Sequence, residues 1–322
     1  MFPIRDTIQS KNYAVVNNAL IFINVLVFLL ELSKGSGLDR FIFTYGLVPA
    51  RYSIPQIGSY FSQTQQIFAL LSFMFLHGGF WHLLGNVWFL YIFGDNVEDR
   101  LGHARYLVFY ILCGLLSGLF HMAVNWTSRV PTIGASGAIA GVMGAYILLY
   151  PKSKILTLIP IIIIPYFIEI PAVIFFGIWF AFQFLGAAGS SAQAGGIAWW
   201  AHVAGFIIGM GLLKAFLALP ETGVTRSLRG KTFKRKTPHF QVIHPEGSGT
   251  APHLNGVISI TPQEATLGAA KLVNIPWGFQ RRLFKVTIPP GVKDGTVLRL
   301  KGMGTEMFSG LKGDLYLTVQ IR

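Results

Sequence analysis

Six apolar blocks, each close to the length of a membrane crossing, constrain this 322-residue chain more than any other feature. They run Val15–Leu32, Phe80–Val97, Arg105–Val124, Gly134–Tyr150, Pro171–Ala188 and Gly196–Leu217. About 20 mostly apolar residues, each rising about 1.5 Å, cross a hydrocarbon core of about 30 Å. The composition agrees, with 52% hydrophobic residues, 12% charged residues and a mean hydropathy of +0.55. A soluble domain is about 25% charged, so a disordered chain is excluded and a purely soluble globule is disfavoured. Asp6, Gln9, Lys11 and Asn12 precede the first block and no small-residue cleavage pattern follows it, so it reads as a retained helix and not as a signal peptide. The stretch Ile155–Ile168 is apolar but short, broken by Pro160 and Pro165 and followed by Glu169 and Pro171. It reads as an interfacial or re-entrant approach to the fifth span, with a further span as the alternative.

Charge sets the orientation. With six spans, one side receives Arg5, Lys11, Arg100, Arg105, Lys152, Lys154 and the run Arg226–Lys236, and the other receives Lys34, Arg40, Arg51 and Arg129. The loop Gly189–Gly196 carries no charge. The positive-inside rule then puts both termini in the cytoplasm, and a cytoplasmic membrane of a prokaryote is the natural location. The net charge of +13 divides as 11 Lys/Arg against 7 Asp/Glu (+4) over residues 1–220, and 15 against 6 (+9) over 221–322. Membrane-like composition thus stops near residue 220. A basic tail can mark a nucleic-acid partner, but the positive-inside rule and anionic headgroups explain it better, and no nucleic acid is expected. The lone Cys113 excludes an internal disulfide framework and a cysteine-rich zinc module, and it reads as a small buried packing residue.

Polar side chains inside apolar spans are costly, so each is a functional candidate. Ser136 opens the fourth span within Gly134-Ala135-Ser136-Gly137-Ala138, where small neighbours leave its hydroxyl open. Gly137, Gly141 and Gly144 follow on one bare helix face, and His202 shares a face with Gly205 and Gly209 in the sixth span. Two glycine-faced helices pack closely and would bring Ser136 and His202 within hydrogen-bond reach. A serine oxygen becomes a nucleophile beside a base, and neutral imidazole is the usual one. His82 and Asn86, spaced i, i+4 at the start of the second span, both donate hydrogen bonds, which suits an oxyanion hole shared with the Ser136 backbone N–H. Taken singly, each signal is weak: a lone membrane serine or histidine is more often a helix–helix contact, and a glycine face is more often plain packing. Their combination supplies a nucleophile, a base and two donors.

The residues His82-Leu-Leu-Gly-Asn86, Gly134-Ala-Ser-Gly137 and Ala201-His-Val-Ala-Gly205 resemble the motifs of rhomboid intramembrane serine proteases, as do Phe75–His82 and Phe93–Glu98. The likeness covers about residues 1–220. It implies a Ser136–His202 dyad with no aspartate, His82 and Asn86 at the oxyanion, and cleavage of transmembrane segments of other proteins near the membrane surface. It also implies a capping role for Gly189–Gly196 and a lateral gate in the fifth span. Neither a metal nor a cofactor is implied. Some family members place an aromatic residue one turn after the serine to stack on the histidine; here the position is Ala140, so His202 must be held by Trp199, Trp200 or helix packing. His77, His103 and His121 read as loop or interface residues.

Residues 221–250 read as a basic, flexible linker, and strands begin near Leu254. Thr261-Pro-Gln-Glu264 is a helix-start capping box, and Leu272–Pro276, Leu283–Pro289, Val297–Leu300 and Leu315–Ile321 complete a small sheet. Ile260–Ala270, Ile288–Gly304 and Gly313–Val319 resemble the peptide-binding C-terminal domain of DnaJ-type co-chaperones over about residues 251–322. The J-domain with its His-Pro-Asp tripeptide and the paired zinc cysteines of that family have no counterpart here. The resemblance implies a domain that holds unfolded polypeptide.

The expected fold is mainly α: a six-helix transmembrane bundle over residues 1–220, then a small cytoplasmic β-rich domain. The expected function is an intramembrane serine endopeptidase. The rival is a membrane chaperone or quality-control adaptor of the same fold that grips helices without cutting. A transporter would show charged groups in mid-membrane or matched interrupted helices, and neither is clear.

Overall fold

The computed structural model describes residues 2–161, 164–189, 198–220, 223–233, 240–242, 253–277, 280–304 and 313–321. The chain forms two compact units, Met1–Phe233 and Lys234–Arg322.

In the first unit, strand β1 (Phe2–Asp6) precedes helix α1 (Val15–Leu32). Four short helices follow: α2 (Leu38–Tyr45), α3 (Ala50–Ser53), α4 (Pro55–Gly58) and α5 (Gln63–Ser72). Then come α6 (Phe80–Leu101), α7 (His103–Val124) and α8 (Ser136–Leu149), the hairpin β2 (Lys154–Ile161) and β3 (Ile164–Pro171), α9 (Ala172–Gly189), α10 (Trp199–Ala218) and α11 (Gly223–Thr232). Each of the six apolar blocks is a helix. By length and hydropathy α1, α7, α9 and α10 are able to cross a membrane alone. Helix α6 qualifies only together with the segment Gln63–Phe75, across a bend of 75°, and α8 is a shorter apolar helix of 14 residues. The chain is thus an integral membrane protein with four such helices, or five with the bent pair, among the described residues.

Helix α8 is the centre of the bundle, buried from Gly137 to Tyr146. It reaches that position because its glycines admit neighbouring backbone. A β-carbon on Gly205 would strike the Gly137 carbonyl oxygen, and one on Gly209 the Gly141 carbonyl oxygen. A β-carbon on Gly141 would lie 2.5 Å from the Cys113 Sγ of α7, and one on Gly137 would strike the Ser117 Oγ. The seam therefore joins α8 to α10 on one side and to α7 on the other, with the buried Cys113 as a packing residue between them.

The segment between α1 and α6 packs into the bundle core through Leu47, Phe73 and Met74. The Ser62 side chain and Gln65 form a capping box that starts α5. The Arg51 guanidinium, 2% exposed, donates to the carbonyls of Phe43 and Thr44 and lies 3.7 Å from the Phe61 ring centre. Carbonyl dipoles and a ring face thus replace the water a buried cation gives up.

At the opposite end, a polar belt ties the N-terminal segment to the helices. The Glu98 carboxylate accepts the first N–H groups of α1, from Val16 (3.0 Å) and Asn17 (2.8 Å), where the helix dipole favours negative charge. It also pairs with His103 Nδ1, while His103 Nε2 lies 2.7 Å from the Thr232 hydroxyl of α11. Two sequence expectations change here. The stretch Ile155–Ile168, expected as an interfacial or re-entrant approach with a further span as the alternative, is not a helical span: its described residues lie in strands β2 and β3, with β2 paired antiparallel to β1. Its β-branched residues satisfy a ladder, and Pro160 and Pro165 face each other near the strand ends. Gly223–Thr232, read as part of a flexible linker, is a helix held through Thr232 to His103 and to the Tyr13 N–H. Phe240–Val242, read as linker too, is a strand paired with Leu272–Asn274. The linker residues 221–222, 234–239 and 243–250 lie outside the described residues, as does most of the expected cap, 190–196.

The second unit holds β4 (Phe240–Val242), β5 (Leu254–Ile260), α12 (Pro262–Leu267), β6 (Ala269–Trp277), β7 (Gln280–Ile288), β8 (Val297–Leu300) and β9 (Leu315–Ile321). They form two three-stranded sheets, β4-β6-β7 and β5-β9-β8, with β5 parallel to β9. Ile258, Ile260, Val273, Val286, Ile288, Leu315, Leu317 and Val319 share one core. The Thr261–Glu264 capping box forms as the sequence indicates, and Glu264 also pairs at 2.7 Å with the buried Lys271 ammonium.

Asp6, on β1, accepts hydrogen bonds from Tyr146 and from Asn96 Nδ2 (2.8 Å). Burial pushes its pKa up to about 6; the Tyr146 hydroxyl pulls it back in part, and the Asp95 charge adds to the rise. A carboxyl whose folded pKa is raised stabilises the fold while protonated and loses that contribution as pH rises through the folded value. Thermal unfolding of the detergent-solubilised protein should therefore show Asp6→Asn gaining on the wild type between about pH 4 and pH 7, with a constant difference above that.

Candidate active site

The N-terminus of α8 is where the polar residues of the bundle converge. Ser136 is the first residue of α8, preceded by Gly134 with φ +123°. The Gly134 N–H donates to the Phe73 carbonyl (2.9 Å), which fixes the turn. A β-carbon at Gly134 would lie 2.8 Å from both Cε1 and Nε2 of His82, so this turn and His82 fit together only without a side chain. The first N–H groups of α8 have no intrahelical acceptor and form the positive end of the helix.

His202 Nε2 lies 2.7 Å from Ser136 Oγ. His202 is on the first turn of α10, and the glycine seam described above sets that distance. Its other nitrogen, Nδ1, lies 2.7 Å from Gln183 Oε1 on α9. Trp179, one turn before Gln183, has its ring centre 6.2 Å from the imidazole at 31°, and Trp199 meets the ring edge-on at 6.3 Å. Of the two tryptophans expected to hold His202, Trp199 does so, whereas Trp200 packs on Phe120. Ala140 has its methyl 3.3 Å from the β-carbon position of Gly205, so a large side chain there would part the seam.

His82 Nδ1 accepts the Gly78 N–H at 3.3 Å. In a neutral imidazole the proton then sits on Nε2, the nitrogen nearest Gly134. Asn86, one turn on, is buried, and its Nδ2 has no hydrogen-bond partner. Both groups line, with Ser136 and His202, a cavity of about 810 Å³ whose walls include Trp81, Phe89, Trp179, Trp199 and Trp200. Asn125, Ser128 and Thr132 supply its polar rim. An unsatisfied buried donor facing a cavity is suited to an anionic oxygen that arrives with a ligand.

The three histidines read as loop or interface residues take different places, and one of them reaches the cavity. His77 is buried, donates its backbone N–H to the Glu31 carboxylate and packs 5.2 Å from the His82 ring. His103 is buried in the polar belt, and His121 lines the cavity beside Asn125. Gln183 was not singled out by sequence; its only signal is that it is the one amide in the apolar helix α9. Among the described residues no three His, Cys, Asp or Glu side chains gather into a metal-holding group.

A polytopic membrane bundle with a cavity where a serine hydroxyl touches one imidazole, with further imidazoles and amides in the walls, is the class that fold and site define. Residues 64–219 match the Rhomboid domain, and residues 252–322 match the DnaJ C terminal domain. The chain is a membrane protein built on a rhomboid domain, with a DnaJ C-terminal domain after it. It is 30% identical over 200 residues to Rhomboid protein 1, mitochondrial, of Saccharomyces cerevisiae, covering 60% of this chain and 50% of that protein. It is 36% identical over 78 residues to the putative rhomboid protease YdcA of Bacillus subtilis (24% and 39%). It is also 32% identical over 84 residues to Inactive RHOMBOID-like protein 8 of Arabidopsis thaliana (26% and 23%). The chain thus spans half or less of the length of these three relatives.

Replacing Gly134 by alanine forces a side chain into the positive-φ region and against His82. Gly134→Ala should lose about 1–3 kcal/mol of stability, read as a lower unfolding midpoint in detergent.

Proposed function

We propose that the protein is an intramembrane serine endopeptidase that cleaves transmembrane segments of other membrane proteins. The observation that carries this reading is the 2.7 Å contact between Ser136 Oγ and His202 Nε2 inside an apolar bundle. In this mechanism His202 takes the hydroxyl proton as Ser136 Oγ attacks the scissile carbonyl carbon. The developing oxyanion receives hydrogen bonds from His82 Nε2–H, Asn86 Nδ2–H and the Ser136 backbone N–H. His202 then gives its proton to the leaving amine, leaving an acyl-enzyme on Ser136. Water, deprotonated by the same imidazole, hydrolyses the ester and restores the hydroxyl. No step calls for a metal or a cofactor. The glycines Gly134, Gly137, Gly141, Gly205 and Gly209 keep the two reacting side chains at working distance.

The surrounding assignments belong to the same reading. Residues 1–220 are the protease domain, 221–250 join it to the C-terminal domain, and 251–322 hold extended polypeptide in the cytoplasm, with both termini on that side of a prokaryotic cytoplasmic membrane. The membrane protein substrate and the bilayer are then its partners, with unfolded polypeptide as a further one and no nucleic acid among them. One relative is named inactive, which keeps a non-cutting adaptor as the rival. A surviving hydroxyl–imidazole contact favours the protease, since a binder gains nothing from it.

A fluorescent fluorophosphonate probe on the detergent-purified full chain separates the two. Wild type should label, and Ser136→Ala and His202→Ala should not; a folded wild-type protein that fails to label after prolonged exposure supports the adaptor. His82→Ala and Asn86→Ala should each slow cleavage of a transmembrane reporter substrate by about 10²–10³-fold, the scale of one lost oxyanion donor.

A further inference from the structure

Gln183 is the one amide side chain in α9, and it is 8% exposed. A lone amide in an apolar span needs a partner, and this one has two. Its Nε2 donates to the Trp179 carbonyl of its own helix at 3.3 Å, and its Oε1 faces His202 Nδ1 at 2.7 Å. The amide has no freedom to exchange these ends. Turned over, it would set its oxygen against the Trp179 carbonyl oxygen, two acceptors facing each other with no hydrogen between them. With oxygen toward the imidazole, Nδ1 must carry the proton, because an amide oxygen only accepts. Neutral His202 then has a bare lone pair on Nε2, the nitrogen beside Ser136 Oγ. The opposite tautomer would point Nε2–H at the hydroxyl oxygen, and the imidazole would have no site for the serine proton.

We infer that Gln183 is the positioning residue of the site, fixing His202 in the tautomer able to accept the Ser136 proton. The inference rests on the Ser136–His202 reading above and deepens it. Gln183 touches no reacting atom and acts wholly through His202. An amide in this place differs from the carboxylate of a serine triad: it sets the tautomer and the ring plane without bringing a negative charge into the bilayer. Trp179, on the same face of α9, restricts the ring from its flat side, so one helix supplies both the hydrogen bond and the wall. The tautomer of a base carried by α10 is thereby set by a different helix, α9.

The alternative role is a plain interhelical hydrogen bond that holds α9 to α10. Fluorophosphonate labelling of the purified full chain separates the two roles. Gln183→Met keeps the shape and removes the acceptor. Its maximal labelling rate should fall about tenfold, the scale of one hydrogen bond, with the half-saturating probe concentration unchanged. Gln183→Glu still accepts from Nδ1–H and should recover most of that rate. A purely structural Gln183 would lower the unfolding midpoint of Gln183→Met and leave the labelling rate at the wild-type value, which overturns the inference. Ser136→Ala runs beside them: labelling that persists there overturns the dyad itself and this inference with it. Loss of labelling in Ser136→Ala beside a wild-type rate in Gln183→Met overturns this inference alone. Should Gln183→Met fail to fold, ¹⁵N-histidine NMR of the wild type decides, with the His202 signal identified by its loss in His202→Ala. A proton on Nδ1 supports the inference, and a proton on Nε2 overturns it.

Discussion

The approach of α8 and α10, backbone against backbone with no side chain between, is the constraint on which the rest of the structure depends. Gly205 and Gly209 lie against the carbonyls of Gly137 and Gly141, so the helix axes come closer than any larger residue permits. In water such a seam would compete with burial of larger apolar groups. In lipid, where tails are as apolar as leucine, close packing itself drives association, and small residues are favoured. The seam also explains Ala140, and it delivers an imidazole and a hydroxyl to one height in the bundle.

The second organising interaction is at the other end, where Glu98 gathers charge and backbone. One carboxylate serves the first turn of α1 and His103, and His103 reaches Thr232 at the end of α11. Together with the Asp6–Tyr146 and Asn17–Tyr106 contacts, this belt ties the start of the chain to four helices that are distant in sequence, α6, α7, α8 and α11. The site stands on a frame closed at both ends: small residues lie between the helices, and fixed charges lie beneath them.

What the sequence revealed and what it concealed divide along physical lines. The i, i+4, i+7 glycines gave away which faces of α8 and α10 would meet, because a bare helix face in lipid has few other uses. The i, i+4 spacing of His82 and Asn86 placed both on one face, and both line the cavity. The capping box at Thr261 fixed a helix start through local chemistry alone. By contrast, Gln183 was illegible: its partner lies 19 residues away, and the rotation of α9 that aims it depends on tertiary packing. The hairpin over residues 154–171 was hidden because an apolar, proline-broken run satisfies an interfacial segment and a strand pair equally well. Helix α11 looked like linker because its charge pattern is that of a solvated tail, and its docking shows only in the folded chain, where Thr232 meets His103 and Tyr13. The role of Ala140 turned on what α10 places opposite it.

Helix α8 has 14 residues, so at about 1.5 Å each it is about 21 Å long, against about 30 Å of hydrocarbon. A helix of that length is too short to cross the core alone, and Ser136 is its first residue. The cavity of about 810 Å³ lies at that N-terminus, lined by Ser136 and His202. Any hydrolysis at Ser136 consumes one water molecule per bond cut, and hydrocarbon holds almost none. On the proposed protease reading, that water reaches Ser136 through the cavity at the N-terminus of α8, so a helix too short to cross the bilayer is what gives a membrane-buried hydroxyl its co-substrate.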